Sequence, residues 1–233
     1  APDQWDGVTK TEPRVNEDGA YVLTDGAELA WFADKTNEAQ GTYNAVVTKD
    51  INMGAHDWSP MGYGTTPSAT VGYAGTFDGG GHTITIDMSE MSAVPGRSGL
   101  FDHVCAEGTV KNVVVAGNIK GTNYSGGIAS TSFGIIENCV NEANVSGCAS
   151  AYSMMYLGGI VGYNGSSITG CANRGTVDAA SENGLVYAGG IAGYTTTDGK
   201  AASPNRPDVK NCYNTGEVKA ATGGAGNCAA AGI

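Results

Sequence analysis

The sequence predicts an all-β protein, a parallel β-helix in which short strands stack coil upon coil. The main observation is a pair of short phrases that alternate through the second half of the chain. The first is Gly-Gly-Ile, at residues 126–128, 158–160 and 189–191, and the second ends in Cys-x-Asn, at residues 139–141, 171–173 and 212–214. A two-part motif that returns at a nearly constant interval is typical of stacked repeats, in which each unit buries its apolar face only against its neighbours.

Composition supports the same fold class. Glycine fills 37 of 233 positions and hydrophobic residues make up 41%, and the apolar runs are short, as at residues 84–86 and 113–115. Short apolar runs separated by glycine favour strands and tight turns. The chain carries 23 acidic and 12 basic side chains, a formal net charge of -11, which argues against a nucleic acid partner because phosphate binding needs a basic surface. No apolar run is long enough to cross a bilayer, so membrane insertion is not expected of this segment.

The spacing of the repeat anchors shows where loops are inserted. The anchors Leu100, Ile128, Ile160, Ile191 and Ile233 are separated by 28, 32, 31 and 42 residues. The longest interval holds a polar, proline-containing stretch at residues 195–207, which we expect to form a surface loop.

The N-terminal residues differ in pattern from the repeats. Residues 20–23 predict a short strand, and residues 25–37 place apolar side chains at helical spacing, with Thr24 or Asp25 as the N-cap. A stack of coils exposes unpaired strand edges at its end and requires a cover there. We therefore expect a strand and helix cap over residues 1–42, and a solenoid over residues 43–233 that continues beyond this segment in a longer protein.

Cysteine and asparagine recur at fixed repeat positions. The two columns are Cys139, Cys171 and Cys212, and Asn141, Asn173 and Asn214. Stacked cysteines favour buried, reduced thiols because a bridge between adjacent coils strains the disulfide dihedral, although a disulfide is the alternative. Stacked asparagines are expected to hydrogen-bond along the coil axis and to satisfy turn backbone groups. Cys105, Cys148 and Cys228 lie outside this register, and any of them is a candidate for pairing.

Tyrosine recurs at two further repeat positions. Tyr124, Tyr156 and Tyr187 each precede the repeat isoleucine by four residues, and Tyr163 and Tyr194 follow it by three. Rings in a row at coil spacing predict a flat platform on which sugar rings stack, with hydroxyl groups free for hydrogen bonds. The alternative is that the rings close the core near a corner. The even offset favours inward packing for the first set, and the odd offset favours an outward or corner position for the second.

A polysaccharide-active hydrolase or lyase is the rival function for a parallel coil. Such sites need carboxylates on adjacent coils, as an acid and base pair or as calcium ligands. No two acids share a repeat position in the columns of Glu137, Glu142 and Glu217. The loop acids that remain candidates for convergence are Asp57, Asp78, Asp102, Glu107 and Asp198. The histidines at positions 56, 82 and 103 and the six cysteines show no metal-ligand spacing, so neither a metal nor a cofactor is expected.

Four further segments, together with the two repeated phrases, carry a family pattern. They are residues 27–33, 58–62, 75–84 and 99–101. With these features the chain resembles the GLUG-repeat surface proteins of bacteria. The resemblance implies a right-handed parallel β-solenoid in secreted or wall-attached proteins, mainly of Gram-positive bacteria, with an adhesin-like role. Similar repeats occur in streptococcal metallopeptidases that cleave immunoglobulin A, but this chain has no His-Glu-x-x-His motif, so no zinc peptidase activity is expected of it.

The function predicted from these features is that of a non-enzymatic bacterial surface segment. It is expected to act as an adhesin, binding or spacer module, with a host glycan or glycoprotein as its partner. The first alternative is a purely structural stalk of a larger surface protein or peptidase, and the second is the polysaccharide-active enzyme. The sequence leaves the ligand and the oligomeric state open.

Overall fold

The molecule is a parallel β-helix, which confirms the predicted fold class. Its computed structural model describes residues 2–38, 42–62, 70–91, 95–149, 154–196, 208–224 and 226–233. All pairings between the named strands are parallel, and strands of one coil pair with those of the coils before and after it. Most of the predicted surface loop, residues 197–207, lies outside the described residues.

One helix and 25 strands fall within the described residues. In chain order they are β1 (Tyr21–Leu23), α1 (Gly26–Glu38), β2 (Ala45–Val47), β3 (Ile51–Asn52), β4 (Thr76–Asp78), β5 (Thr83–Asp87), β6 (Arg97–Ser98), β7 (Phe101–Val104), β8 (Thr109–Lys111), β9 (Val114–Gly121), β10 (Tyr124–Gly126), β11 (Ala129–Ser132), β12 (Ile135–Glu137), β13 (Val140–Asn141), β14 (Asn144–Ala149), β15 (Met154–Gly158), β16 (Val161–Asn164), β17 (Ser167–Thr169), β18 (Ala172–Asn173), β19 (Val177–Ser181), β20 (Leu185–Gly189), β21 (Ala192–Thr195), β22 (Asp208–Lys210), β23 (Tyr213–Asn214), β24 (Val218–Thr222) and β25 (Cys228–Ala231).

Each full coil crosses four sheets, numbered here in the order in which the chain visits them. Sheet 1 contains β1, β2, β4, β8, β12, β17 and β22, and sheet 2 contains β3, β5, β9, β13, β14, β18, β19, β23 and β24. Sheet 3 contains β6, β10, β15, β20 and β25, and sheet 4 contains β7, β11, β16 and β21. Successive coils lie about 4.8 Å apart. Residues at one repeat position therefore form a column along the axis.

The core consists of apolar columns inside the coils. Val110, Ile136 and Ile168 pair in register on sheet 1 and are fully buried. In β5 the two-residue alternation places Ile84 and Ile86 inside, as strand geometry requires. Burying one such side chain contributes about 2 kcal/mol of hydrophobic stabilisation. Each coil completes the core of its neighbour, which is why the apolar positions repeat in the sequence.

A ladder of asparagine side chains runs through the core beside sheet 2. Asn141 Nδ2 donates to Asn173 Oδ1 at 2.7 Å and to the carbonyl of Ala143 at 2.9 Å. Asn173 makes the same two bonds one coil later, to Asn214 Oδ1 at 2.7 Å and to the carbonyl of Gly175 at 2.9 Å. Each buried amide therefore bonds both the next coil and its own turn, which satisfies polar groups that are costly to bury alone.

The glycine pairs lie opposite this ladder. A Cβ atom on Gly159 would stand 2.3 Å from Asn173 Cγ, and one on Gly127 would stand 2.1 Å from Asn141 Oδ1. Neither distance leaves room for a side chain. The two repeated phrases of the sequence are thus in contact across the coil, and the second glycine of each pair is required by the asparagine that faces it.

The turn between sheets 1 and 2 has a left-handed backbone. Asn112, Asn138 and Asn211 have φ values of 53°, 52° and 53°, and Gly170 has a φ value of 66° at the equivalent position. Asparagine and glycine are the residues that tolerate this conformation best. This explains why the residue before each column cysteine is asparagine or glycine.

Helix α1 lies against the first coils and buries Leu29 and Phe32 in the core. Asp25 caps it, because Asp25 Oδ1 accepts the backbone N–H of Glu28 at 2.9 Å. Glu28 Oε2 in turn accepts the backbone N–H of Thr24 at 2.7 Å. This reciprocal arrangement satisfies one N–H group of the first helical turn and the N–H group of Thr24, which precedes the helix. Strand β1 pairs with β2, so the N-terminal strand extends sheet 1.

The ladder makes a testable prediction about stability. Asn173→Ala removes two donated bonds and one accepted bond, and it leaves the amide of Asn141 without its partner in the next coil. We expect the free energy of unfolding to fall by about 3 kcal/mol, measured by urea denaturation. The control is Asn144→Ala, which removes exposed hydrogen bonds to Asn118 and Thr176 and should change stability by less than about 1 kcal/mol. Equal losses in the two variants would show that the ladder has no special role.

Candidate functional site

Five tyrosines gather on the outside of the elbow between sheets 3 and 4. Tyr124, Tyr156 and Tyr187 form one column on sheet 3, and Tyr163 and Tyr194 pair in register on sheet 4. The two columns interleave, since the Tyr156 ring lies 5.9 Å from Tyr163 and 4.9 Å from Tyr194. We call these five residues the tyrosine cluster.

The first tyrosine column points away from the core. Met155 and Leu157 flank Tyr156, are fully buried and belong to the core, so the alternating strand directs Tyr156 to the outer side. The inward packing expected for this set is therefore wrong. The offset from the repeat isoleucine was misleading because the glycine pair bends the chain sharply and interrupts the two-residue alternation. Tyr156 is still only 7% exposed, because the other four rings cover it.

The rings do not form a flat platform. Tyr124 and Tyr156 stack at 5.2 Å with planes 17° apart, and Tyr163 and Tyr194 stack at 5.5 Å with planes 29° apart. Nearly parallel rings at such distances lie face to face with an offset. Successive rings thus cover part of each other's faces along the axis, and the row presents ring edges at its outer side. The expectation of a continuous stacking surface is corrected accordingly.

An open depression lies where the stack ends. Its lining is Tyr124, Thr131, Phe133 and Tyr163, and we call it the aromatic depression. Tyr124 closes the column on this side, since its register neighbour on the preceding coil is Arg97 and not another ring. The Phe133 ring centroid lies 6.2 Å from that of Tyr163.

Phe133 and Thr131 were not identified from the sequence. The position of Phe133 holds Gly165 one coil later, so no recurring aromatic residue marks the column. A Cβ atom on Gly165 would lie 2.5 Å from the Phe133 ring, which shows that the ring occupies the space that glycine leaves open. Thr131 shares the register of Tyr163, and only this pairing places its side chain beside the tyrosines.

A second depression lies beside the loops at the earlier coils. Its lining is Asp57, Trp58, Ser59, Pro60, Met91, Pro95, Arg97 and Asp102. Arg97 Nε donates to Asp102 Oδ1 at 2.9 Å, and the Asp102 carboxylate is 1% exposed. Ser130 Oγ also donates to Asp102 Oδ1, at 3.1 Å. The buried carboxylate is thus neutralised and held by an arginine and a hydroxyl group.

The structure brings together only some of the loop acids that were candidates for a catalytic pair. Asp57 and Asp102 line this second depression. Asp78 lies on sheet 1, where its carboxylate faces Lys111 at 3.4 Å. Glu107 is in an exposed turn, and Asp198 falls outside the described residues. The Asp102 carboxylate is ion-paired with Arg97. The pair of Asp57 and Asp102 therefore does not resemble the general acid and general base of a glycosidase.

Three of the six cysteines occupy one column. The backbone N–H of Cys139 lies 3.4 Å from Cys171 Sγ, and that of Cys171 lies 3.4 Å from Cys212 Sγ. All six thiols are free, and Cys148 and Cys228 are exposed. Hydrogen bonding with the Cys139 thiol, with burial as a further cause, raises the pKa of Cys171 to about 12. A thiol that stays protonated at neutral pH is a weak nucleophile and a weak metal ligand.

Metal-ligating side chains do not cluster in the part of the chain that the structure describes. No group of three or more histidine, cysteine, aspartate or glutamate side chains is placed to hold an ion there. Among the same residues, no helix has the length and apolar character needed to span a bilayer.

Comparison with known families locates the repeats. The family model described as "The GLUG motif" matches residues 155–178 and 184–219. The chain carries GLUG motifs. These two matched stretches hold four members of the tyrosine cluster and the last two members of both the cysteine and the asparagine columns. The repeat itself therefore supplies most of the ladder and most of the outer rings.

Comparison with solved structures shows the same fold elsewhere. A crystal structure from Bacteroides ovatus, named "putative immunoglobulin A1 protease", aligns with a TM-score of 0.54 and 18% identity over 91% of this chain and 80% of that chain. At this identity the similarity establishes a shared fold. Comparison with curated proteins gave no match.

The burial of the cluster predicts unequal roles for its members. Tyr156→Ala removes the central ring, which contacts four others, and should lower the free energy of unfolding by about 3 kcal/mol. Tyr194→Ala removes a ring that is 37% exposed and should cost about 1 kcal/mol. Thermal denaturation of the two variants measures the difference. A larger loss for Tyr194→Ala would contradict the packing described here.

The raised pKa of Cys171 predicts instability at alkaline pH. In the unfolded chain this thiol loses its proton above a pH of about 8.5, whereas in the folded protein it keeps the proton up to a pH of about 12. Its contribution to stability is therefore complete below about pH 8.5 and is lost as the pH rises through the folded pKa, with a slope of up to about 1.4 kcal/mol per pH unit.

The measurement is the free energy of unfolding by urea at a series of alkaline pH values. Cys171→Val places in this column the residue found at Val113, and it should reduce the slope. Cys148→Val replaces an exposed thiol and should leave the slope unchanged. A slope that is the same in the wild type and in Cys171→Val would refute the assignment.

Proposed function

We propose that this chain is a non-enzymatic segment of a bacterial surface protein, and that it binds glycan at the aromatic depression. The observation that carries the proposal is the depression itself, in which the ring of Phe133 and the rings of Tyr124 and Tyr163, which carry hydroxyl groups, line one open concavity. Carbohydrate recognition combines an aromatic face, which packs against the apolar face of a pyranose, with nearby hydroxyl groups that bond its rim. Both kinds of group are present here.

The position on the solenoid supports this role. The depression lies on the outside of an elbow where two sheets converge, so a chain-like ligand has access along the coil axis. The tyrosine cluster continues from it over two more coils and offers ring edges and hydroxyl groups. The core behind it is fully packed, which gives the rings a rigid support.

A surface location is part of the same proposal. The GLUG motifs of this chain resemble those of secreted or wall-attached bacterial proteins. An adhesin in that location would meet a host glycan or glycoprotein as its partner. The assignment to Gram-positive bacteria stays a prediction from the resemblance. A catalytic role has less support, because Asp102, which lines the second depression with Asp57, is ion-paired with Arg97, and Asp78 lies on sheet 1 beside Lys111.

A purely structural spacer is the second candidate. It is favoured by the continuous ladder, in which Asn141, Asn173 and Asn214 bond coil to coil and resist separation of the coils. A spacer needs no ligand. The two candidates therefore differ in whether the purified segment binds any glycan saturably.

The test is a binding screen against mucins, matrix glycoproteins and defined oligosaccharides, with products examined by mass spectrometry. We expect saturable binding without cleavage, and a loss of roughly tenfold or more in affinity for Tyr124→Ala. The matched control is Tyr213→Ala, which removes a 47% exposed tyrosine on sheet 2, away from the depression. Binding that survives Tyr124→Ala would refute the assigned site, cleavage would favour the enzyme, and the absence of any binding would favour the spacer.

A further inference from the structure

We propose that the aromatic depression selects glycans that carry a free amino group, with the ammonium seated against Tyr124, Phe133 and Tyr163. The inference rests on the glycan-binding function proposed above and specifies its ligand class. A cation over an aromatic face is attracted by the negative face of the ring, and several rings around one cation form the aromatic cage that recognises ammonium groups. An amino sugar joins such a cation to a pyranose.

The geometry of the three rings fits a cage. The centroid of Tyr163 lies 5.9 Å from that of Tyr124 and 6.2 Å from that of Phe133. A cation interacts with a ring centroid over roughly 6 Å, so one ammonium in front of rings this close together is within reach of Tyr163 and of its neighbours. The ring planes are tilted by 38° and 55°. They therefore act as separate walls around a guest, unlike the stacked rings further along the cluster.

The charge of the surroundings favours a cation. Among the residues that the structure describes, no lysine or arginine lines the depression. The whole chain has a formal net charge of -11, which raises the local concentration of cations near its surface. Arg97, the register neighbour of Tyr124, is ion-paired with the buried Asp102. In the described lining a carboxylate-bearing sugar therefore finds no basic side chain, and a neutral sugar gains only the stacking contact.

The hydroxyl groups of Tyr124 and Tyr163 give the site neutral contacts. Thr131 is also in the lining, but it is only 1% exposed and its Oγ1 lies 3.5 Å from Ser130 Oγ, so it supports the rings from behind. A tyrosine hydroxyl group both donates and accepts. The amino group of a hexosamine is adjacent to ring hydroxyls, so the cage and these hydroxyl groups can address neighbouring substituents of one sugar.

The experiment compares two ligands that differ only in the charge of one substituent. Chitosan hexasaccharide carries free amines, and chitin hexasaccharide carries the same amines in acetylated, uncharged form. Calorimetric titration in mildly acidic, low-salt buffer should show binding to chitosan that is about tenfold tighter. Choline and its uncharged isostere dimethylbutanol test the cage alone, and choline should be the better competitor.

The variants separate the aromatic face from the hydroxyl group. Tyr124→Leu keeps an apolar side chain but removes the ring, and it should weaken chitosan binding by about tenfold. Tyr124→Phe keeps the ring face and should weaken it clearly less. Tyr213→Leu controls for loss of a surface tyrosine elsewhere, and circular dichroism of each variant verifies folding.

The outcomes distinguish this inference from the function on which it rests. Equal or tighter binding of chitin, still sensitive to Tyr124→Leu, would overturn the selection of amines while leaving glycan binding at this site intact. An equal loss in Tyr124→Phe and Tyr124→Leu would also overturn it, because the hydroxyl group, which both variants lack, and not the ring face would then be decisive. Binding of neither ligand would refute the inference together with the proposed glycan site.

Discussion

Close contact between the asparagine ladder and the glycine pairs sets the geometry of the whole solenoid. Each amide bonds to the next coil at 2.7 Å, in a core where an unpaired polar group would be costly. The facing residue must be glycine, because a Cβ atom on Gly159 would come within 2.3 Å of Asn173. The Gly-Gly-Ile and Cys-x-Asn phrases of the sequence are therefore coupled to each other, and also to the width and register of the coils. A substitution in one phrase requires a compensating change in the other.

The same glycine pairs shape the outer surface. The first glycine of each pair sits in the elbow, where a Cβ atom on Gly158 would lie 2.0 Å from the carbonyl oxygen of Val161. The chain therefore turns sharply between sheets 3 and 4, and the side chains just before and after the turn converge outside it. Tyr156 and Tyr163 meet in this way although their positions in the chain differ by seven. An interior packing requirement has thus produced an exterior aromatic cluster.

The candidate site lies where the repeats lose their regularity. Tyr124, Tyr156 and Tyr187 recur and stack on one another, which turns their edges outward and serves packing. The concave depression arises at the end of this row, where Arg97 replaces a tyrosine and Phe133 occupies the position of a later glycine. Residues that recur in every coil form the stacked framework, and residues that depart from the repeat give one part of its surface a distinct shape. The similarity in fold to the Bacteroides ovatus structure, at 18% identity, is consistent with a scaffold that tolerates such departures.

The stacked architecture, the strand columns and the helix near the N-terminus were predictable from the residue pattern, because periodic apolar, glycine and asparagine positions have few structural solutions. Even the polar partners of Glu137 follow from repeat register, with Lys111 and Thr169 as its neighbours. The direction of the tyrosine side chains and the set of residues that line the aromatic depression could be read only from the folded chain. Side-chain direction depends on how far the chain bends at each glycine pair, and a non-repeating residue such as Phe133 acquires its neighbours only when the coils close around it.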